Sequence, residues 1–206
     1  MENTEKPKPV YYVFCGIDGV LWDGPYGSLI HGPYLSAIDN PVLKPESVEA
    51  LNLLLKSLEK THNTKLVITS QRRNDLTACA SYLSHYNVEY NKPIFATRFT
   101  SGLRGEKIID YMKRDNQKPE VAITLGDKLF EIFGRHKENG NFSNYVVLED
   151  NQKVIKKHIP ATRTIKTDIR KSSLTTSQVV NYLINNGLSI DENYLSQILG
   201  AKQIEA

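Results

Sequence analysis

The sequence predicts a three-layer α/β fold around a central, mostly parallel sheet, and three observations carry that expectation. Short runs rich in Val, Ile, Leu and aromatic residues recur at 10–16, 65–70, 93–97, 121–125 and 145–148. Stretches with helical apolar spacing separate them, the alternation produced by parallel strands joined through crossover helices. Polar side chains of the kind that bind ligands, Asp18, Ser70 and Asp127, stand where such runs stop. Ligands of open parallel sheets collect at the carboxyl ends of the strands.

The elements follow in order. Residues 1–9 are polar and Pro-bearing and read as a flexible N-terminus, with no signal-peptide stretch. Residues 10–16 form a buried strand. From Trp22 to Leu43, three Gly and three Pro with Tyr26 and Tyr34 among them predict a flap or small cap over 24–43. Pro45-Glu46 opens a helix whose stripe is Val48, Leu51, Leu54, Leu55 and Leu58. A strand over 65–70 leads to a helix from about Asn74 to Tyr86, then a short strand at 93–97. Gly105 to Lys113 reads as a helix and Val121–Leu125 as a strand ending at Gly126-Asp127. Tyr145–Leu148 is a further strand, and Arg163-Thr164-Ile165 a short one. The α/β domain is thus expected over 10–170. Residues 171–206 supply two helices, near 176–186 and 191–199, packed on that same domain.

Composition sets the outer bounds. With 206 residues, 40% apolar and 24% charged, the chain can bury one proper core. A net charge of +3 permits an anionic ligand, nucleic acid included, without requiring one. Cys15 and Cys79 are the two cysteines and read as small buried hydrophobes, so neither a disulfide framework nor a zinc site is expected. No run approaches the roughly 20 apolar residues that span a bilayer. The expectation is a cytoplasmic protein without a membrane partner.

The chemistry centres on Val13-Phe14-Cys15-Gly16-Ile17-Asp18-Gly19-Val20-Leu21. This stretch resembles the first motif of the haloacid dehalogenase-like (HAD-like) hydrolases: an apolar run, Asp, any residue, Asp, Gly, Thr or Val, then an apolar residue. Asp18, Gly19, Val20 and Leu21 match its second half, and Gly16 stands where the family keeps its nucleophilic Asp. The segment Leu66 to Arg73 resembles the second motif, with Ser70 as the hydroxyl that holds phosphoryl oxygens. The same Ser70 equally suits a helix cap, and Arg72 and Arg73 suit either a substrate phosphate or the surface. Arg104 and Lys107 compete for the cation of the third motif, with Arg104 preferred because Arg104-Gly105-Glu106 resembles a subset that opens this helix with Arg. Gly126-Asp127-Lys128-Leu129-Phe130-Glu131 resembles the fourth, Gly-Asp-x-x-x-Asp/Glu.

The resemblance covers residues 10 to 150 or so and implies a Rossmannoid sheet with a minimal cap. It implies a phosphatase framework that recognises a phosphate monoester with Mg²⁺. Asp18 would be the general acid and base and lend its carbonyl to the metal. Ser70, Arg104 and Lys107 would hold phosphate, and Asp127 and Glu131 would serve Mg²⁺. Members without a cap tend to act on macromolecular phosphates, and the short inserts here leave little room for a large one, so the phosphorylated ligand could be macromolecular, with the flap tyrosines stacking on it or packing on their own core. Gly16 closes the covalent route, since it has no side chain to attack phosphorus. Cys15 points to the opposite face and cannot replace it. Three explanations stand side by side: a natural pseudoenzyme, an active enzyme altered at this position, or a fold kept without phosphate function. The alternative of another class is a protein-interaction module on the same fold that binds neither metal nor phosphate.

Overall fold

The computed structural model describes residues 7–22, 42–70, 76–97, 103–115, 121–125, 128–132, 144–150, 153, 155, 157–167 and 173–204, with backbone alone at 121–132 and 202–204. The first strand, β1 (Val10–Cys15), is buried almost throughout. Its side chains alternate between two hydrophobic clusters: Tyr11, Val13 and Cys15 enter one, Tyr12 and Phe14 the other. A strand covered on both faces has no polar side, which explains its continuous apolar run.

The strands β2 (Asn63–Ile68), β3 (Phe95–Ala96), β6 (Tyr145–Glu149) and β7 (Thr164–Lys166) complete a five-stranded sheet in the order β3-β2-β1-β6-β7. Every pairing within it is parallel. The chain runs outward from β1 to β2 and β3, returns across the sheet, and runs outward again through β6 and β7. The order in which strands are added therefore reverses between β1 and β6. Such a topological switch leaves a crevice at the carboxyl edge of the sheet, because the connections leave it on opposite sides.

Helices cover both faces. The first cluster joins β1 to α1 (Pro45–Glu59), α2 (Leu76–His85), α4 (Thr176–Asn185) and α5 (Glu192–Ile204). The second joins the other face to α3 (Arg104–Asp115) through Ile108 and Met112, with Ile155 and Ile159 beside them. Helix α1 packs against β2, α4 and α5, and α4 also meets the sheet directly at β7 and through Tyr182. Its five buried leucines contribute roughly 2 kcal/mol each relative to exposure. Helix α4 begins on a capping box: the Gln178 N–H donates to Thr175 Oγ1 at 3.4 Å, and the Thr175 N–H donates to Gln178 Oε1 at 2.9 Å. The C-terminal helices thus share the first cluster with β1.

One strand departs from expectation. β4 (Val121–Leu125) forms, yet it does not join the parallel sheet. It pairs antiparallel with β5 (Lys128–Ile132) in a separate two-stranded sheet, Val121 opposite Ile132 and Leu125 opposite Lys128. Glu131 therefore lies in a strand. The physical reason is local: two β-prone runs separated by Gly126-Asp127 carry a hairpin signature, and nearest-neighbour pairing closes a far shorter loop than a crossover does. The flap at 24–41 lies outside the described residues. Among the described residues no helix is long and apolar enough to cross a membrane.

Candidate functional site

The crevice between β1 and β6 is built from the ends of three parallel strands. Gly16 follows β1 and donates its N–H to the Leu148 carbonyl at 3.1 Å, which fixes β1 against β6. Thr69 follows β2 and donates to the Cys15 carbonyl at 2.9 Å. Beyond these bonds the backbone leaves the sheet, and Asp18, two residues after Gly16, comes to Ser70, one residue after Thr69. Ser70 Oγ donates to Asp18 Oδ2 at 3.1 Å, so the first two predicted site residues meet. Ser70 is buried and Asp18 half-buried.

The loop that carries Asp18 is tightly specified. Gly19 adopts φ +75°, a left-handed conformation that L side chains rarely take. Its amide donates to the Trp22 carbonyl at 2.7 Å, and the amides of Val20 and Leu21 both donate to the Ile17 carbonyl. Three consecutive carbonyls are then claimed by three separate segments. Thr167 Oγ1 donates to the Gly19 carbonyl at 2.6 Å, the Leu174 N–H to that of Val20 at 2.7 Å, and the Lys44 N–H to that of Leu21 at 2.9 Å. Asp150 packs so closely on Gly19 that a Cβ there would lie 2.5 Å from its carboxyl carbon. Glycine at 19 is thus required by conformation and by space together.

Arg104 opens α3, as expected, and its guanidinium pairs with the Glu149 carboxylate at the end of β6. Glu149 is wholly buried. Gly105 makes this approach possible, because a Cβ there would stand 3.1 Å from His158 Cβ and 3.2 Å from the Ile155 carbonyl. Lys107 sits one turn further along α3 and is half-buried. Asp127 and the side chain of Glu131 lie outside the described residues, and the strand before Asp127 belongs to the two-stranded sheet. The acidic residues that do end a strand beside β1 are Glu149 and Asp150. Sequence reasoning missed them, although Tyr145–Leu148 was a recognised strand and the acidic pair follows it directly.

Gly16 is buried, and its φ lies outside the left-handed region. A Cβ there would meet Val20 Cγ2 at 3.2 Å and the Leu148 carbonyl at 3.4 Å. The tighter neighbour is a Val20 methyl, which must give by a few tenths of an ångström for a Cβ to fit. Cys15 lies in the opposite cluster, and burial, with Cys79 and Glu149 nearby, pushes its thiol far up. It is an inert core residue and no substitute nucleophile. Among the described residues no group of three or more His, Cys, Asp and Glu side chains is arranged to hold a metal ion. No family model, curated protein or solved structure matches the chain.

Proposed function

We propose that the crevice recognises a phosphate monoester together with Mg²⁺, within a HAD-like phosphohydrolase framework whose covalent step is closed by Gly16. The observation that carries this reading is the Ser70–Asp18 hydrogen bond at the topological switch of a doubly wound parallel sheet. That is where the sheet leaves room for a ligand, and it is where the resemblance places the acid/base and the phosphate-holding hydroxyl. Ser70 can donate to a phosphoryl oxygen instead of Asp18, and Arg104 can offer a phosphate the N–H groups of its planar fork that are not spent on Glu149. Asp18 and Asp150 offer hard oxygen donors, and Mg²⁺ is usually held by one or two carboxylates, substrate phosphate and retained water. Asp150, which follows the strand neighbouring β1, is a further carboxylate for the metal beside the Asp127 and Glu131 that the resemblance assigns to it. When bound, the metal would offset phosphate charge. The chain's own groups orient the ester: Ser70 and Arg104 grip it, and Asp18 stands ready to hold or give a proton.

Two measurements test this reading. In the protein as it stands, millimolar Mg²⁺ with inorganic phosphate should raise the thermal midpoint, because a ligand bound only to the native state stabilises it, by about 2.7 kcal/mol at a hundred times its dissociation constant. Gly16→Asp should then hydrolyse para-nitrophenyl phosphate in a Mg²⁺-dependent way, since it restores the nucleophile at the position where the resemblance places it. An unmoved midpoint and an inert Gly16→Asp protein would together refute the proposal.

A further inference from the structure

We propose that Thr167 is a positioning residue of the crevice: its hydroxyl fixes the glycine beside Asp18 and so holds the aim of the Asp18 carbonyl. This role rests on the reading of the crevice as a Mg²⁺ and phosphate site. It draws in the end of β7, the strand at the edge of the sheet.

Asp18 is followed by the residue type with the widest conformational freedom. Glycine takes left-handed and right-handed backbone about equally well, so the peptide groups flanking Gly19 can turn over unless something holds them. Both are held. On the near side, the Gly19 N–H donates to the Trp22 carbonyl at 2.7 Å. A trans peptide is planar with its N–H and C=O opposed, so this bond turns the Asp18 carbonyl the other way. The Asp18 oxygen stands 3.9 Å from where a Cβ on residue 16 would lie. It is the atom that the resemblance lends to the metal. On the far side, the Gly19 carbonyl accepts from Thr167 Oγ1 at 2.6 Å. The Val20 N–H of that same peptide donates to the Ile17 carbonyl at 3.2 Å.

Thr167 is itself anchored. It follows β7, is wholly buried, and donates its N–H to the Glu149 carbonyl at 3.3 Å. The Glu149 side chain pairs with Arg104, and the Asp18 carboxylate accepts from Ser70. One line of bonds thus runs from Arg104 through Glu149, Thr167 and Gly19 to Asp18 and Ser70.

A merely structural role does not ask for a hydroxyl here. Ile165, two residues earlier, enters the first apolar cluster, and valine suits a buried strand end at least as well as threonine. A buried hydroxyl is costly unless it is bonded, and the bond made here is to the loop of Asp18. Of the three donors to carbonyls 19, 20 and 21, Thr167 alone uses its side chain. Leu174 and Lys44 use backbone amides, which any residue but proline supplies.

The test is isothermal titration of Mg²⁺ into the full chain with inorganic phosphate present. Run well below the thermal midpoint, it reads the affinity of folded protein and does not follow a fall in stability. Thr167→Val should weaken Mg²⁺ binding at least about tenfold, the usual scale when a group that orients a metal ligand is lost. Thr167→Ala removes the hydroxyl without setting a methyl against the Gly19 carbonyl. It should weaken binding likewise, and it serves if the valine protein does not fold. Thr167→Ser keeps the hydroxyl and should bind nearly as well as the native chain. Native-strength binding in the variants without a hydroxyl, or a serine variant as weak as the valine one, would overturn the role of Thr167 and leave the reading of the crevice intact. No Mg²⁺ uptake by the native chain would instead overturn both.

Discussion

A guanidinium and a carboxylate decide much at the single-residue level. Arg104 is about a quarter exposed and Glu149 not at all, so the pair is half in water on one side and sealed on the other. Removing the cation strands a charge in the interior, and such losses cost about 3–5 kcal/mol when both partners are sealed. Water reaching position 104 trims this figure. Arg104→Ala should therefore lower stability by about 2–3 kcal/mol, read as a shift of the urea midpoint at unchanged slope. Arg104→Lys should recover part of it, because charge is kept while the forked geometry is lost. A loss below about 0.5 kcal/mol would mean the pair is worth no more than an exposed one. Asp18, Ser70 and Arg104 were all legible in the sequence, since each adjoins a strongly patterned strand or opens a periodic helix. Glu149 and Asp150 were not. Their importance depends on which strand lies beside β1, and that pairing joins residues some 130 positions apart without local trace.

The helix α3 owes its place to the residue after Arg104. Alanine at 105 would gain about 1 kcal/mol of helix propensity and press its methyl on His158 and the Ile155 backbone at 3.1–3.2 Å. Those two effects nearly cancel. Valine adds branching with no compensating gain, and overpacking of this kind costs about 1–3 kcal/mol. Gly105→Ala should accordingly be close to neutral in chemical denaturation, while Gly105→Val should be clearly destabilising and weaken the Arg104–Glu149 contact. Element identity was largely readable: β1, β2, β6, β7 and all five helices fall where hydrophobic periodicity predicts them, with ends displaced by a few residues. The exception is Val121–Leu125. Its period correctly marks a strand, but period is silent about the partner, and the adjacent Lys128–Ile132 run captures it as a hairpin.

Across the whole molecule, tyrosine gives a pH dependence. Tyr11, Tyr90, Tyr111, Tyr145, Tyr182 and Tyr194 all have phenols raised above their ordinary value of 10.0, foremost because burial disfavours the charged phenolate. A group that holds its proton more tightly when folded adds stability below the unfolded pKa, and that stability is lost as pH climbs toward the folded one. The protein should thus keep its tyrosine-derived stability up to about pH 10 and lose it above. Absorbance of tyrosinate at 295 nm should rise together with loss of helical circular dichroism. Independent, gradual titration of these tyrosines in a still-folded protein would contradict it. Sheet order was less legible than sheet content, because β6 and β7 reach their places only through long-range closure.

The three carbonyls at 19, 20 and 21 carry a temporal consequence. Two of their donors, Thr167 and Leu174, are translated about 150 residues later. At roughly 5–20 residues per second, a nascent chain must wait about seven to thirty seconds before its earliest loop can be fastened. The segment made first is among the last to be set in place.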